Sequence, residues 1–346
     1  MRRLSVVILL AAAVMLVGGA GPPHGTSADP GGKMYWTDWT GSADGKIRRA
    51  NLDGSGTEDV VTGLGCPKGI AVDVAGAKLY YAVSCAQVIR RADIDGTDEE
   101  DLVTGLGNLY GLALDLASGK VYWTAMSTWK IQRANLDGSN VEDLVTTGLA
   151  VPLYIALDVG GGKMYWTDQG SDKIRRANLD GSGVEDVVTS GFGHAYGLAL
   201  DPSGGKMYWT DDEDGNIQRA SLDGSGVEVL VTGLSHPDGI ALDVGRGKMQ
   251  WVEWGVEPSA GKIKRANLDG SDVENVLTGL TDPASIALAL SPSAVGGIAE
   301  LPDAAGRPLE AQHSSGTDVG FMAAVVAAGV VALAGGAWYA RRRWLR

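Results

Sequence analysis

The 346-residue chain is poor in the residues that most often carry chemistry, with 2 Cys, 4 His and 2 Phe. Two cysteines cannot build a disulfide-dense scaffold, and without a Cys-x-x-Cys pair or a His-rich cluster nothing points to structural zinc. No nucleophile elbow, phosphate loop or Cys–His pairing stands out, so the common hydrolase and nucleotide-binding signatures are missing. No Asn-x-Ser/Thr glycosylation acceptor occurs either. Basic residues are scarce, 29 against 42 acidic, and Arg2, Arg3, Arg341, Arg342, Arg343 and Arg346 lie at the extreme ends. The body between them holds 23 basic residues against 42 acidic, a net of −19. Such a body repels phosphate backbones, which argues against nucleic acid; cations or basic patches on proteins suit it better. At 21% charged and 45% hydrophobic the chain is too balanced for disorder, and its length allows one or two domains.

The two ends read as addresses. Residues 1–20 have the form of a signal peptide: Arg2 and Arg3, an apolar run from Val6 to Val17, then Gly18-Gly19-Ala20 for cleavage. An uncleaved anchor is the alternative, although the run is short for a span. Residues 319–340 (Val319 to Ala340) carry no charge and are long enough for a transmembrane helix. Trp338 and Tyr339 sit where an interfacial belt would lie, and a short basic tail, 341–346, follows. Positive charge stays in the cytoplasm, which puts everything upstream outside the cell. A glycolipid-anchor signal would end in its apolar tail. A wall-sorting signal is a further alternative, but Leu301-Pro302-Asp303-Ala304-Ala305 lacks the expected Thr. Residues 291–318, rich in Ala, Gly, Pro and Ser, read as a flexible stalk.

Self-comparison of the body, 33–290, is the most informative step. Lys33-Met-Tyr-Trp-Thr-Asp38 recurs from Lys78, Lys120, Lys163, Lys206 and Lys248, in steps of 42 to 45 residues. Each unit adds a stretch like Lys46–Gly54, one like Glu58–Gly63 and one like Gly69–Asp73. These are four short β-rich runs bounded by Gly, Asp and Pro turns, Asp53-Gly54 and its counterparts being strong hairpin signals. Six such units predict an all-β, six-bladed β-propeller. The Tyr-Trp-Thr-Asp repeat resembles the low-density lipoprotein receptor class B (YWTD) repeat family over about residues 33–290. The first copy begins at its second strand, and a surplus first strand, Ser285–Ala289, follows the last. Pairing the two predicts ring closure in blade one and removes two open edges. The closing strand has Ala289 where the other five have Asp73, Asp115, Asp158, Asp201 and Asp243.

Residues present in every unit are expected to serve the fold. Trp36, Trp123, Trp166, Trp209 and Trp251, with Tyr81 in blade two, should pack between blades and keep a polar handle. Arg49, Arg91, Arg133, Arg176, Arg219 and Arg265 need acceptors, and the motif acids Asp38, Asp168, Asp211 and Glu253 are the expected partners, as the resemblance also implies. Function is expected where the units differ, on the face shared by the loops after YWTD and after each fourth strand. That top face carries Trp39, Trp254 and Trp129, with Tyr110, Tyr154, His194, Tyr196, His236, Asp238 and Asp282, and the acidic run that includes Asp212 and Glu213. Trp39 and Trp254 become neighbours once the ring closes. Exposed aromatics rimmed by acids make a protein-binding surface, and the resemblance implies protein ligands on this face. The alternative is that these rings pack under their own loops.

Cys66 and Cys85 both fall on the top face of blade two. Outside the cell they are expected to form a disulfide worth about 3 kcal/mol, two buried thiols being the alternative. Some propellers of other families are lactonases or lyases with an axial metal. Here the inner strands supply apolar and small residues, and Asp93–Asp98 lacks the length and final Glu of a calcium loop. The expectation is therefore a membrane-anchored, extracellular propeller with no enzymatic role, cofactor or metal, whose partner is a protein or peptide with a basic patch. A surface coat protein without a specific ligand is the first alternative, and a metal-dependent hydrolase or lyase the second.

Overall fold

The computed structural model describes residues 32–39, 44–255 and 259–290. The signal peptide, stalk, span and basic tail expected at the two ends lie outside the described residues. Among the described residues no helix is long and apolar enough to cross a membrane.

The chain forms six four-stranded antiparallel sheets, one per repeat. Blade one joins Pro283–Leu290 to Gly32–Asp38, Gly45–Asn51 and Glu58–Leu64, with Tyr35 opposite Ala287 and Trp36 opposite Ile286. The ring therefore closes at the blade expected from the sequence, and the last strand covers the edge of the first. The inner strands of the other blades are Pro67–Asp73, Leu109–Asp115, Pro152–Asp158, Ala195–Asp201 and Pro237–Asp243. Each packs on the inner strands to either side, which encloses the axis.

Strand periodicity explains the blade contacts. Successive side chains point to opposite faces, so the Trp and Tyr of one motif serve different neighbours. Trp123 packs with Tyr80 of blade two, Trp166 with Tyr122 of blade three, and Trp209 with Tyr165 of blade four. Trp251 packs likewise with Tyr208. The second strand of every blade is thus buried on both faces, Met34 through Asp38 being at most 3% exposed. The expected polar handle is used in only two of the five Trp. Trp123 Nε1 donates to Gln132 at 3.0 Å and Trp251 Nε1 to Glu253 at 3.1 Å. Trp36, Trp166 and Trp209 have no partner at Nε1. Arg48 lies 5.6 Å from the Trp36 ring and Arg175 5.7 Å from that of Trp166, so the ring face binds a cation instead.

The recurring arginines do not pair with the motif acids. Arg49 Nε donates to Glu58 at 2.6 Å, and its Nη1 donates to the carbonyl of Ile94 in the next blade at 3.0 Å. Arg133, Arg176, Arg219 and Arg265 repeat the arrangement with Glu142, Glu185, Glu228 and Glu274. Parity is the reason: Arg49 stands opposite Tyr35, whereas Asp38 shares its face with Trp36, opposite Arg48. Three of the motif acids instead hold the loop that enters their own inner strand, while Glu253 pairs with Lys264 at 2.9 Å. Asp168 accepts from the amides of Ala150 and Val151, and Asp211 from those of Gly193 and His194. Asp38 accepts from Asp282 N at 2.9 Å.

Candidate functional site at the mouth of the ring

Every inner strand carries one extra residue against its partner near the top, as between Pro67 and Ile70 or Pro237 and Ile240. The same irregularity recurs in blades one, three, four and five. A bulge re-aims a side chain, and five residues before each strand's final Asp (or Ala289) stand Lys68, Tyr110, Leu153, Tyr196, Asp238 and Ala284. The motif Thr fixes this position. Its hydroxyl accepts an amide of its own blade and donates to the bulge carbonyl of the next, as in Gly197 N to Thr210 (2.8 Å) and Thr210 to Asp238 O (2.6 Å). Thr167 does the same for Tyr154 N and Tyr196 O.

After the bulge comes Gly in four blades, where a Cβ would crowd the neighbouring strand; at Gly111 it would lie 2.6 Å from the Leu153 carbonyl. Blade four has Tyr154 there instead. Its ring reaches blades six and one: Oη lies 2.8 Å from Asp238 Oδ1 and 2.6 Å from the Ala284 carbonyl oxygen. Tyr110 Oη reaches the same carboxyl at 3.2 Å and packs edge-on to Tyr154, with centroids 5.3 Å apart. These side chains plug the top of the central channel.

Above the plug is a cavity of about 280 Å³, lined by Trp39, Lys68, Tyr110, Tyr196, Asp238, Trp254, Asp282 and Ala284. Trp254 is held by His236, whose ring stacks on it at 4.1 Å and whose Nδ1 lies 2.9 Å from Asp212 Oδ1. Trp39 is placed by its amide, which donates to Asp282 O at 2.9 Å. Lys68 Nζ sits 5.3 Å from the Trp39 ring centroid and 5.1 Å from that of Tyr110. Burial pushes the Asp238 carboxyl up to about 7, against the pull of the Lys68 ammonium and the two tyrosine hydroxyls. Burial raises Asp282 as well, and drives both tyrosine hydroxyls well above their ordinary range.

Trp39, Trp254, Tyr110, Tyr196 and Asp238 are therefore brought together, with Tyr154 beneath them and His236 and Asp212 behind Trp254. Asp238 is not the exposed acid expected to attract a basic partner. It is 3% exposed and engaged by two hydroxyls, because the bulge turns it inward. Trp129, His194 and Glu213 do not line the cavity. Trp129 projects from its hairpin at 56% exposure, and His194 meets Glu213 at 3.7 Å outside the rim. Lys68 and Ala284 are the cavity residues that sequence reasoning missed, and Lys68 is the charged one. It shares its register with Tyr110 and Asp238, so aligning the units at that position would have found it.

Cys66 and Cys85 form the expected disulfide. It replaces a motif interaction, since blade two has Val83 where blades four and five have the acid that pins this loop. Cys66 lies two residues before Lys68, so the bridge fixes that wall of the cavity.

The residues at the mouth do not fit a metal. Asp238 is spent on tyrosines, the Lys68 ammonium would oppose a cation, and Asp211 of the acidic run is fully buried on backbone amides. Among the described residues no group of three His, Cys, Asp or Glu side chains is arranged to hold one.

With this geometry the fold matches known ones. Residues 162–202 and 205–244 match the low-density lipoprotein receptor repeat class B, and residues 25–167 match the SMP-30/gluconolactonase/LRE-like region. The chain is a six-bladed propeller, and two of its six repeats match the class B, or YWTD, repeat. No curated protein matches the sequence. A chain in the crystal structure of a nidogen/laminin complex superposes with a TM-score of 0.67 at 22% identity, over 75% of this chain and 99% of that one. TolB from Acinetobacter baumannii gives 0.63 at 15% identity, over 75% and 66%. A gluconolactonase, XC5397 from Xanthomonas campestris, gives 0.53 at 20% identity, over 64% and 78%. At these identities the similarity concerns the fold alone.

Proposed function

We propose that this propeller binds a protein or peptide at the mouth of its ring and acts without catalysis, displayed outside the cell on the C-terminal span. The observation that carries the reading is the concentration of unlike side chains on one regular backbone frame at the mouth. The bulge positions of blades two, three, five and six and the residues after the YWTD strand in blades one and six supply Trp39, Trp254, Tyr110, Tyr196, Lys68 and Asp238 to the cavity. Two half-buried indoles on the wall of a cavity are what a protein interface uses as anchors. The nidogen-like superposition supports a propeller of this kind in a protein complex. Membrane attachment is supported by the uncharged run 319–340 followed at once by arginines. The match to the gluconolactonase-like region favours a hydrolase as the second reading, but the donor set at the mouth speaks against its metal.

The test is capture from culture medium and surface extract with the full chain, against a Trp39→Ala/Trp254→Ala variant of unchanged melting temperature. A partner lost with the variant supports the reading. A partner retained by both moves the site elsewhere. No partner at all favours a coat role, and lactone hydrolysis by the wild type would revive the enzyme.

A further inference from the structure

We propose that Asp238 is held in the plug as a neutral carboxylic acid, and that its ionisation draws Lys68 across Ala284, so that protons open and close the mouth cavity. This deepens the binding reading, on which only its consequence for a partner rests.

Tyr154 has fewer protons than polar contacts. Tyr154 Oη makes two short contacts, 2.8 Å to Asp238 Oδ1 and 2.6 Å to the Ala284 carbonyl oxygen. A phenol has one proton and a carbonyl has none, yet both distances are those of hydrogen bonds. Each contact has a proton of its own when Tyr154 donates to Ala284 O and a protonated Asp238 donates to Tyr154 Oη. Tyr110 then donates to the other carboxyl oxygen at 3.2 Å. Ionised, Asp238 would claim the Tyr154 proton and leave Ala284 O facing a bare oxygen. Its burial and its raised carboxyl agree with the neutral form.

The charge that would answer an ionised Asp238 is also present. The groups facing it are Lys68 from the inner strand of blade two, Tyr110 from blade three, Tyr154 from blade four, and Tyr196 with Asp212 from blade five. Asp282 lines the same cavity from blade one, and His236, two residues before Asp238, is engaged by Asp212. Among the described residues Lys68 Nζ has ring faces but no hydrogen bond or ion pair. In the bulge register only Ala284 separates Lys68 from Asp238, and the cavity lies over its methyl group. A desolvated carboxylate attracts an ammonium more strongly than an aromatic face does. With Asp238 neutral, Lys68 lies on Trp39 and Tyr110 and the cavity is open. With Asp238 ionised, Lys68 crosses and fills it. A partner entering the cavity therefore binds more tightly as pH falls.

The test is carbon-13 NMR of the full chain labelled in aspartate and lysine, with Asp238 assigned by its loss in Asp238→Asn. The expected result is an Asp238 midpoint at about 7, shared by the Lys68 Cε shift and raised in Lys68→Met. In Asp238→Asn, whose amide still donates to Tyr154, the Lys68 shift should be flat across that range. An Asp238 midpoint near the ordinary 3.8, or a Lys68 shift that moves identically in Asp238→Asn, overturns the proposal. Neither readout requires a partner, so failure here is distinguishable from failure of the binding reading.

Discussion

The two faces of the ring are built from the same repeats and show opposite behaviour. On the lower face the turn after each third strand is made the same way six times. Asp53 accepts the amide and hydroxyl of Ser55 at 2.9 and 2.6 Å, and Asp95, Asp137, Asp180, Asp223 and Asp269 do the same with the Thr or Ser two residues on. On the upper face the six bulge residues comprise a lysine, two tyrosines, a leucine, an aspartate and an alanine. The backbone that presents them is as regular as the turns below. Regular bonding thus marks what the fold requires, and substitution within a regular frame marks what it leaves free for binding.

The sharpest way to break this contrast is to exchange one tryptophan of each kind. Trp166 is fully buried between blades, so Trp166→Ala should cost about 3–5 kcal/mol. Trp254 is half-buried against His236 at the rim, so Trp254→Ala should cost less than about 1 kcal/mol while abolishing partner capture. Denaturant unfolding of both variants beside the capture assay measures the difference. Equal costs would mean that the mouth is part of the structural frame.

Next in size is the bridge in blade two. Removing it as Cys66→Ser/Cys85→Ser should lower stability by about 3 kcal/mol and loosen the wall that carries Lys68. The same loop in blade four is held by Asp168, so the double substitution Cys66→Ser/Cys85→Ser with Val83→Asp should recover part of the loss. Chemical denaturation with and without reductant reads both effects.

Asp238 gives the third comparison, a buried acid above against exposed acids below. The folded state holds this proton more tightly than the unfolded chain does, with a midpoint at about 7 against 3.8. Unfolding therefore releases it, and the group's contribution to stability falls as pH rises from about 4 to about 7 and stays level above. Asp238→Asn lacks that dependence and should exceed the wild type by about 4 kcal/mol at pH 8 relative to their difference at pH 4. Melting temperatures at the two pH values, in both proteins, decide it.

These contrasts also mark how far the sequence could be read. The blade number, the strand pattern and closure in blade one follow from the spacing of Lys33, Lys78 and their successors and from the unpaired strand at residue 285. The aromatic rim followed from asking where the units differ. Pairing the recurring arginines with the motif acids failed on parity, since one residue of offset sends Arg48 and Arg49 to opposite faces. Asp238 was misread because neither the bulge that turns it inward nor the reach of Tyr154 from another blade leaves a local trace. Lys68 carries no local signal, since a lysine on a strand reads as a solvated side chain until the bulge register aligns it with Tyr110 and Asp238.

The smallest expected effect concerns Trp129, the most exposed large apolar side chain described, at 56%. It has φ of +52°, in a hairpin position held at +55° by Gln87, +51° by Asp172 and +58° by Gly215. Residues with short polar side chains, or none, tolerate that backbone, whereas a bulky ring pays steric strain there of roughly 1 kcal/mol. Trp129 makes no hydrogen bond through its side chain and covers little of the core, so Trp129→Asn should raise stability by about 0.5–1 kcal/mol. A gain by denaturant unfolding would mean that this indole is kept at the expense of the fold, which extends the binding surface from the mouth out over blade three. A loss would place Trp129 with the structural tryptophans and confine the variable face to the cavity.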